Sequence, residues 1–167
     1  MNRIRLYLEL TKPRILVMVL VTTAFGFLLG GGNRDSVALL FFTLLGVGCS
    51  TGGASALNNY LERDFDAKMV RTRGRALPAG LIEPFRALMF GVSLVLLGVL
   101  LLVWAANLLT GFLVLLAAFL YVLVYTPLKR ITWLNTTFGA IPGAIPPMAG
   151  WAAATGSVGA GAWALFA

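Results

Sequence analysis

Residues 87–125 read ALMFGVSLVLLGVLLLVWAANLLTGFLVLLAAFLYVLVY, a run of 39 residues without one Asp, Glu, Lys or Arg. A helix needs about 20 mostly apolar residues to cross the roughly 30 Å hydrocarbon layer of a bilayer. The run therefore holds two crossings, Ala87 to Ala106 and Leu108 to Tyr125, with Asn107 as the polar turn between them. In lipid every backbone polar group must be satisfied internally, and an uninterrupted apolar run of this length does so as a helix. The whole chain has the matching composition: 59% hydrophobic residues, 11% charged residues and a mean hydropathy of +0.90. A soluble domain carries about a quarter charged residues.

The same pattern recurs on both sides of this run. One span is expected from Ile15 to Gly32 and another from Val37 to Leu57. The stretch Ile131 to Ala153 contains Pro142, Pro146 and Pro147. Prolines remove backbone donors and clash with the preceding turn, so this span is expected to be broken. Val158 to Ala167 begins a sixth span and is too short to finish it. The expected fold is all-α, a polytopic transmembrane helical bundle with five full spans and the start of a sixth. Residues 1–167 would then be the N-terminal part of a single membrane-embedded domain. The span from Val37 is rich in small residues, and Gly48 and Gly52 have the four-residue spacing that lets helices approach closely.

The net charge of +7 sorts by side. The N-terminal arm has Arg3, Arg5, Lys12 and Arg14, and the loop after the second span has Arg63, Lys68, Arg71, Arg73, Arg75 and Arg86. Lys129 and Arg130 follow the fourth span, while the opposite side has only Arg34. Basic residues mark cytoplasmic loops, so the N-terminus and these three segments are expected in the cytoplasm. No basic stripe carries interleaved aromatics, which argues against nucleic acid as a partner; the lipid bilayer explains the charge. The chain has no histidine, which excludes Ser-His-Asp chemistry and His-based zinc sites within it. Its single cysteine, Cys49, lies in a small-residue run and reads as a packing residue.

At the end of the second span the sequence is Asn58-Asn59-Tyr60-Leu61-Glu62-Arg63-Asp64-Phe65-Asp66. Asn58, Glu62 and Asp66 are spaced i, i+4, i+8 and share one helical face. Such a column of hard oxygen donors suits Mg²⁺, which takes a few protein oxygens and completes its shell with water and phosphate. Asp64 lies off the column. The chain has six acidic residues, and three of them fall within these five positions, at the end of a close-packed span where ionisable groups are costly and usually functional. The plainer alternative is a solvated helix end whose acids pair with Arg63, Lys68 and Arg71.

Next to these acids, Lys68, Arg71 and Arg73 lead into Leu77-Pro78-Ala79-Gly80. Acids beside clustered guanidinium groups suggest a shared polyanion: acids hold the metal, the metal holds a diphosphate, and Arg and Lys cover the remaining oxygens. The candidate diphosphate ligands are Arg71, Arg73, Lys129 and Arg130, with Lys12 and Lys68 in support. Anchoring to anionic lipid is the simpler explanation for the basic residues, though not for their closeness to the acids.

These residues resemble a known family. The column Asn58-x-x-x-Glu62-x-x-x-Asp66 is similar to the first metal-binding motif of the UbiA superfamily of intramembrane prenyltransferases, with Glu where Asp is usual in the middle. Thr11-Lys12-Pro13-Arg14, Leu77-Pro78-Ala79-Gly80, Tyr125-Thr126-Pro127-Leu128-Lys129-Arg130 and Gly139 to Trp151 resemble its haem O synthase branch. The resemblance implies a Mg²⁺-dependent enzyme of the cell (inner) membrane with its site facing the cytoplasm. Its substrates would be farnesyl diphosphate and haem B, its product haem O, and its neighbours other proteins of haem A synthesis. The family has a second acidic motif, and outside the first cluster this chain has only Glu9, Asp35 and Glu83, which form none. By that resemblance, residues 1–167 alone would be inactive. Another acceptor, such as a hydroxybenzoate, a naphthoate or a chlorophyll precursor, stays open, as do a membrane transporter and a half-size subunit that dimerises.

Overall fold

A computed structural model describes residues 3–32, 36–129 and 135–167, except the side chain of Asn135. Arg34, Arg130 and the expected span start at Ile131 lie outside the described residues. Every regular element among the described residues is helical: α1 (Arg3–Leu10), α2 (Pro13–Leu29), α3 (Val37–Asp66), α4 (Pro84–Ala105), α5 (Leu108–Phe119), a π-helical turn (Leu120–Tyr125), α6 (Thr126–Leu128), α7 (Asn135–Thr155) and α8 (Ala160–Phe166). Three are long and apolar enough to cross a membrane: α3, α4, and the run from α5 through α6. The pair α1 and α2, bent by 53°, makes a fourth if counted as one span. The prolines and small residues of α7 keep it below that apolarity, and α8 has only 7 residues.

The local sequence explains the helix ends. Pro13 and Pro84 open α2 and α4, where a missing N–H costs nothing. Asn107 caps α5 by accepting from the Thr110 N–H at 2.8 Å, and its amide donates to the Ala152 carbonyl of α7 at 2.9 Å. The span expected to end at Leu57 and the helical column beyond it form one helix, α3. It continues through Asp66, giving 30 residues and a length of about 45 Å, so a polar segment projects beyond any hydrocarbon layer. Charged residues mark where a helix leaves lipid, and Leu, Glu and Arg remain good helix formers outside it.

α3 packs most extensively on α4, and α2 on α7. The close approach of α3 to α4 is not made by Gly48 and Gly52, whose missing side chains face Leu20 and Thr11. It is made by Gly46 and Gly53 against Gly98 and Gly91: a Cβ on Gly53 would stand 2.5 Å from the Gly91 carbonyl oxygen. The seven-residue spacing on both helices keeps the contacts on one seam of an antiparallel pair, which a four-residue spacing does not sustain as well over two turns.

α7 is a continuous helix, not a broken one, despite Pro142, Pro146 and Pro147. Pro142 and Pro146 are buried against an internal cavity, and the Pro147 backbone lies against Gly26 of α2. Covered by protein in this way, the proline-weakened turns need no lipid-facing repair. Gly26→Ala drives a methyl into the Pro147 carbonyl and is expected to cost about 1–3 kcal/mol. Thermal unfolding in detergent checks this, and an unchanged midpoint contradicts it.

Candidate functional site

Lys- and Arg-bearing segments converge on the projecting end of α3. Asn58, Glu62 and Asp66 are all buried, at 1%, 6% and 3% exposure. Each is met by a cation from a different segment. The Lys12 ammonium donates to Asn58 Oδ1 at 2.5 Å, Lys129 pairs with Glu62 Oε1, and Arg75 Nη1 pairs with Asp66 Oδ2 at 2.7 Å. The one-face column read from the sequence is thus buried and met by three cations.

Two local distortions deliver the lysines. Lys12, between α1 and α2, has φ 52° and ψ 67° and is the only non-glycine with positive φ among the described residues. That left-handed conformation costs about 1–3 kcal/mol and persists only where surroundings enforce it. Here α1 is fixed by Leu6 and Leu10, which pack with Ala56, Ala76, Leu77 and Ile82, so the elbow falls beside the column. Burial pushes the Lys12 ammonium down to about 8, with Glu62 opposing the shift. On the other side, Pro127 cannot donate to the preceding turn, and residues 120–125 widen into a π-helix. Thr126 Oγ1 then donates to the Tyr121 carbonyl five residues back at 2.8 Å and accepts from Asn58 Nδ2 at 2.9 Å. The widened turn also stacks the rings of Tyr121 and Tyr125, 5.6 Å apart. Lys12 Nζ lies 6.0 Å from the Tyr121 ring and Lys129 Nζ 5.9 Å from the Tyr125 ring.

The remaining candidates lie further out. Asp64 is exposed and pairs with Arg63 at 3.5 Å. Lys68 is exposed, with its ammonium 5.7 Å from the Phe65 ring. Arg71 and Arg73 are exposed on the loop, whereas Thr72 between them is buried and donates to the Asp66 carbonyl at 2.9 Å. Arg130 lies outside the described residues. Arg75, Thr126 and the two tyrosines are partners that the sequence reading missed. Arg75 belongs to the alternating Arg71, Arg73, Arg75 series, and spacing alone does not tell which member turns inward. For Thr126 the available signal was the proline after it.

Two spaces are lined in part by α3, and Asp66 of the column lines the first of them. A cleft of about 560 Å³ is lined by Lys12, Arg14, Asn59, Asp66, Arg75 and Pro78, among others. An apolar cavity of about 230 Å³ lies between α2, α3, α5 and α7, with Tyr121 among its lining residues. Each space has an unsatisfied polar atom in its wall: Asn59 Oδ1 in the cleft and Ser50 Oγ in the cavity are buried without a partner. Such groups cost about 1–3 kcal/mol each. Among the described residues no three carboxylate or thiol groups come together. The column offers two carboxylates and one amide oxygen. That donor set fits Mg²⁺, which needs only a few protein oxygens when phosphate and water supply the rest.

Residues 19–167 match the UbiA prenyltransferase family. The chain is 47% identical to a protoheme IX farnesyltransferase of Anaeromyxobacter dehalogenans over 157 residues, covering 94% of this chain and 53% of that protein. It is 46% identical to one of Synechococcus elongatus over 162 residues (96% and 51%), and 42% identical to one of Aquifex aeolicus over 166 residues (99% and 57%). The chain spans about half the length of these curated relatives. No solved structure matches it. The family match over residues 19–167, with relatives 42–47% identical over nearly the whole chain, establishes that this chain belongs to the UbiA prenyltransferase family.

Proposed function

We propose that this chain supplies the α3 half of an intramembrane prenyl-transfer site, and that the complete protein transfers the farnesyl group of farnesyl diphosphate to a vinyl group of haem B to form haem O. The observation that carries this reading is the one-to-one pairing of Asn58, Glu62 and Asp66 with Lys12, Lys129 and Arg75 beside an apolar cavity. Three cations converge where a diphosphate would sit, and the apolar cavity along the same helix would take the tail. Asn58, Glu62 and Asp66 would hold Mg²⁺, which when bound offsets charge on the departing diphosphate. Lys12, Lys129 and Arg75 turn from the column to phosphate oxygens, with Arg71, Arg73 and Lys68 approaching from the rim and Arg130 adding a further cation for the diphosphate. The stacked faces of Tyr121 and Tyr125 favour the allylic cation and keep water from it until the acceptor has been alkylated. Haem B enters from the same side. Water then completes the hydroxyethylfarnesyl group, and other haem A enzymes take the product.

This reading puts the N-terminus and the column in the cytoplasm and the bundle in the cell membrane, with five crossings in this chain. The twelve-to-one distribution of Lys and Arg supports it. With Cys49 replaced by Ala, Arg71→Cys and Lys129→Cys react with an impermeant thiol reagent only from the cytoplasm, and Arg34→Cys only from outside. Labelling of Arg71→Cys and Arg34→Cys from the same side sinks the topology. For the reaction, the complete protein incubated with farnesyl diphosphate, haem B and Mg²⁺ yields haem O, identified by mass. Prenylation of a hydroxybenzoate or naphthoate in its place reassigns the acceptor and leaves the site.

A further inference from the structure

The apolar cavity ends on a floor, and the geometry points to Val47 on that floor as the residue that limits the prenyl chain to three isoprene units. The inference rests on the proposed prenyl-transfer reading and adds the residue that sets its substrate length. On α3 the cavity is lined by Val47, Ser50, Thr51, Ala54 and Ser55, one helical face that continues into Asn58 at the column. Neighbouring helices run alternately up and down, and the deepest linings on the other three are Val19 on α2, Val114 on α5 and Pro146, next to Ile145, on α7. Val47, Val114 and Ile145 belong to one buried cluster with Leu102, and Val19 packs against it. Four aliphatic side chains from four helices therefore close the far end. Val47 itself is 1% exposed.

The distance available follows from helix rise. Eleven residues separate Asn58 from Val47, about 16 Å at 1.5 Å per residue. An extended chain advances about 1.2 Å per bond. On that scale the main chain of three isoprene units reaches about 14 Å, and a fourth unit takes it to about 19 Å. Three units end at Val47, whereas four must push through it.

The test is a competition series on the complete protein in nanodiscs with Mg²⁺. The probes are non-hydrolysable S-thiolodiphosphates of two, three and four isoprene units. The unmodified protein binds the three-unit probe at least about tenfold more tightly than the four-unit probe, since a misfit of even one methylene in a pocket has that effect. Val47→Ala lowers the floor and removes most of this discrimination. Thr51→Phe, one turn nearer the column, raises the floor and moves the preference to two units. Inorganic pyrophosphate binds both variants as it does the parent, which shows that the head-group site is intact. Equal affinity for three and four units in the parent, or an unchanged order in both variants, overturns the length limit and leaves the prenyl-transfer reading standing. A parent protein that binds none of the three probes overturns both.

Discussion

Glu62→Gln and Asp66→Asn each lower prenyl transfer by about 10²–10³-fold in the complete protein while leaving membrane insertion intact. Both substitutions keep the volume and an oxygen donor and remove only the negative charge. Losing one preorganised charge contact to a reacting oxyanion costs a factor of this size. The structure adds a reason for the two residues to fail alike. Each carboxylate is nearly inaccessible and already neutralised by its own cation, Lys129 for Glu62 and Arg75 for Asp66. Without the carboxylate, that cation loses its resting partner and the metal loses a ligand. Haem O formation in washed membranes gives the measurement, and wild-type turnover in either variant refutes the role of the column.

The second large effect is on stability. Lys129→Met leaves Glu62, 7% exposed at its side chain, without that counter-charge. Breaking a fully buried ion pair costs about 3–5 kcal/mol. Lys129 keeps partial contact with water, at 29% exposure, so the expected loss is smaller, about 2–3 kcal/mol. The double variant Glu62→Gln, Lys129→Met recovers much of it, because neither charge of the pair remains. Unfolding in detergent of the parent, both single variants and the double variant gives the coupling directly. Additive losses show that the pair contributes nothing beyond its separate side chains.

The apolar helices were legible because lipid leaves the backbone no alternative: Ala87 to Ala106 and Leu108 to Tyr125 lie within two or three residues of the helical limits. Charge after Leu57 signals the edge of the membrane, and the i, i+4, i+8 column beyond it signals that the helix continues to Asp66. The proline span was misread. Local chemistry favours a break at Pro142 to Pro147, and contact with Gly26 and the cavity wall, which only the tertiary fold supplies, overrides it.

The column itself was legible, since i, i+4, i+8 spacing needs only a regular helix. Its partners were not. The placement of Lys12 depends on a left-handed residue, and that of Lys129 on a π-helical turn. Both conformations shift the register away from 3.6 residues per turn, so no periodic count finds them. The glycines show the same limit. Gly48 and Gly52 advertise a packing motif, yet the seam runs through Gly46 and Gly53, two turns apart on a different face of the helix.

The most direct test of the central claim replaces Mg²⁺ with Mn²⁺ and adds farnesyl S-thiolodiphosphate to the complete protein. If the α3 column holds a metal–diphosphate complex, electron–nuclear spectroscopy detects ³¹P hyperfine coupling to protein-bound Mn²⁺, and Glu62→Gln and Asp66→Asn abolish it. Coupling of unchanged strength in both variants would place the metal and diphosphate elsewhere and contradict the account.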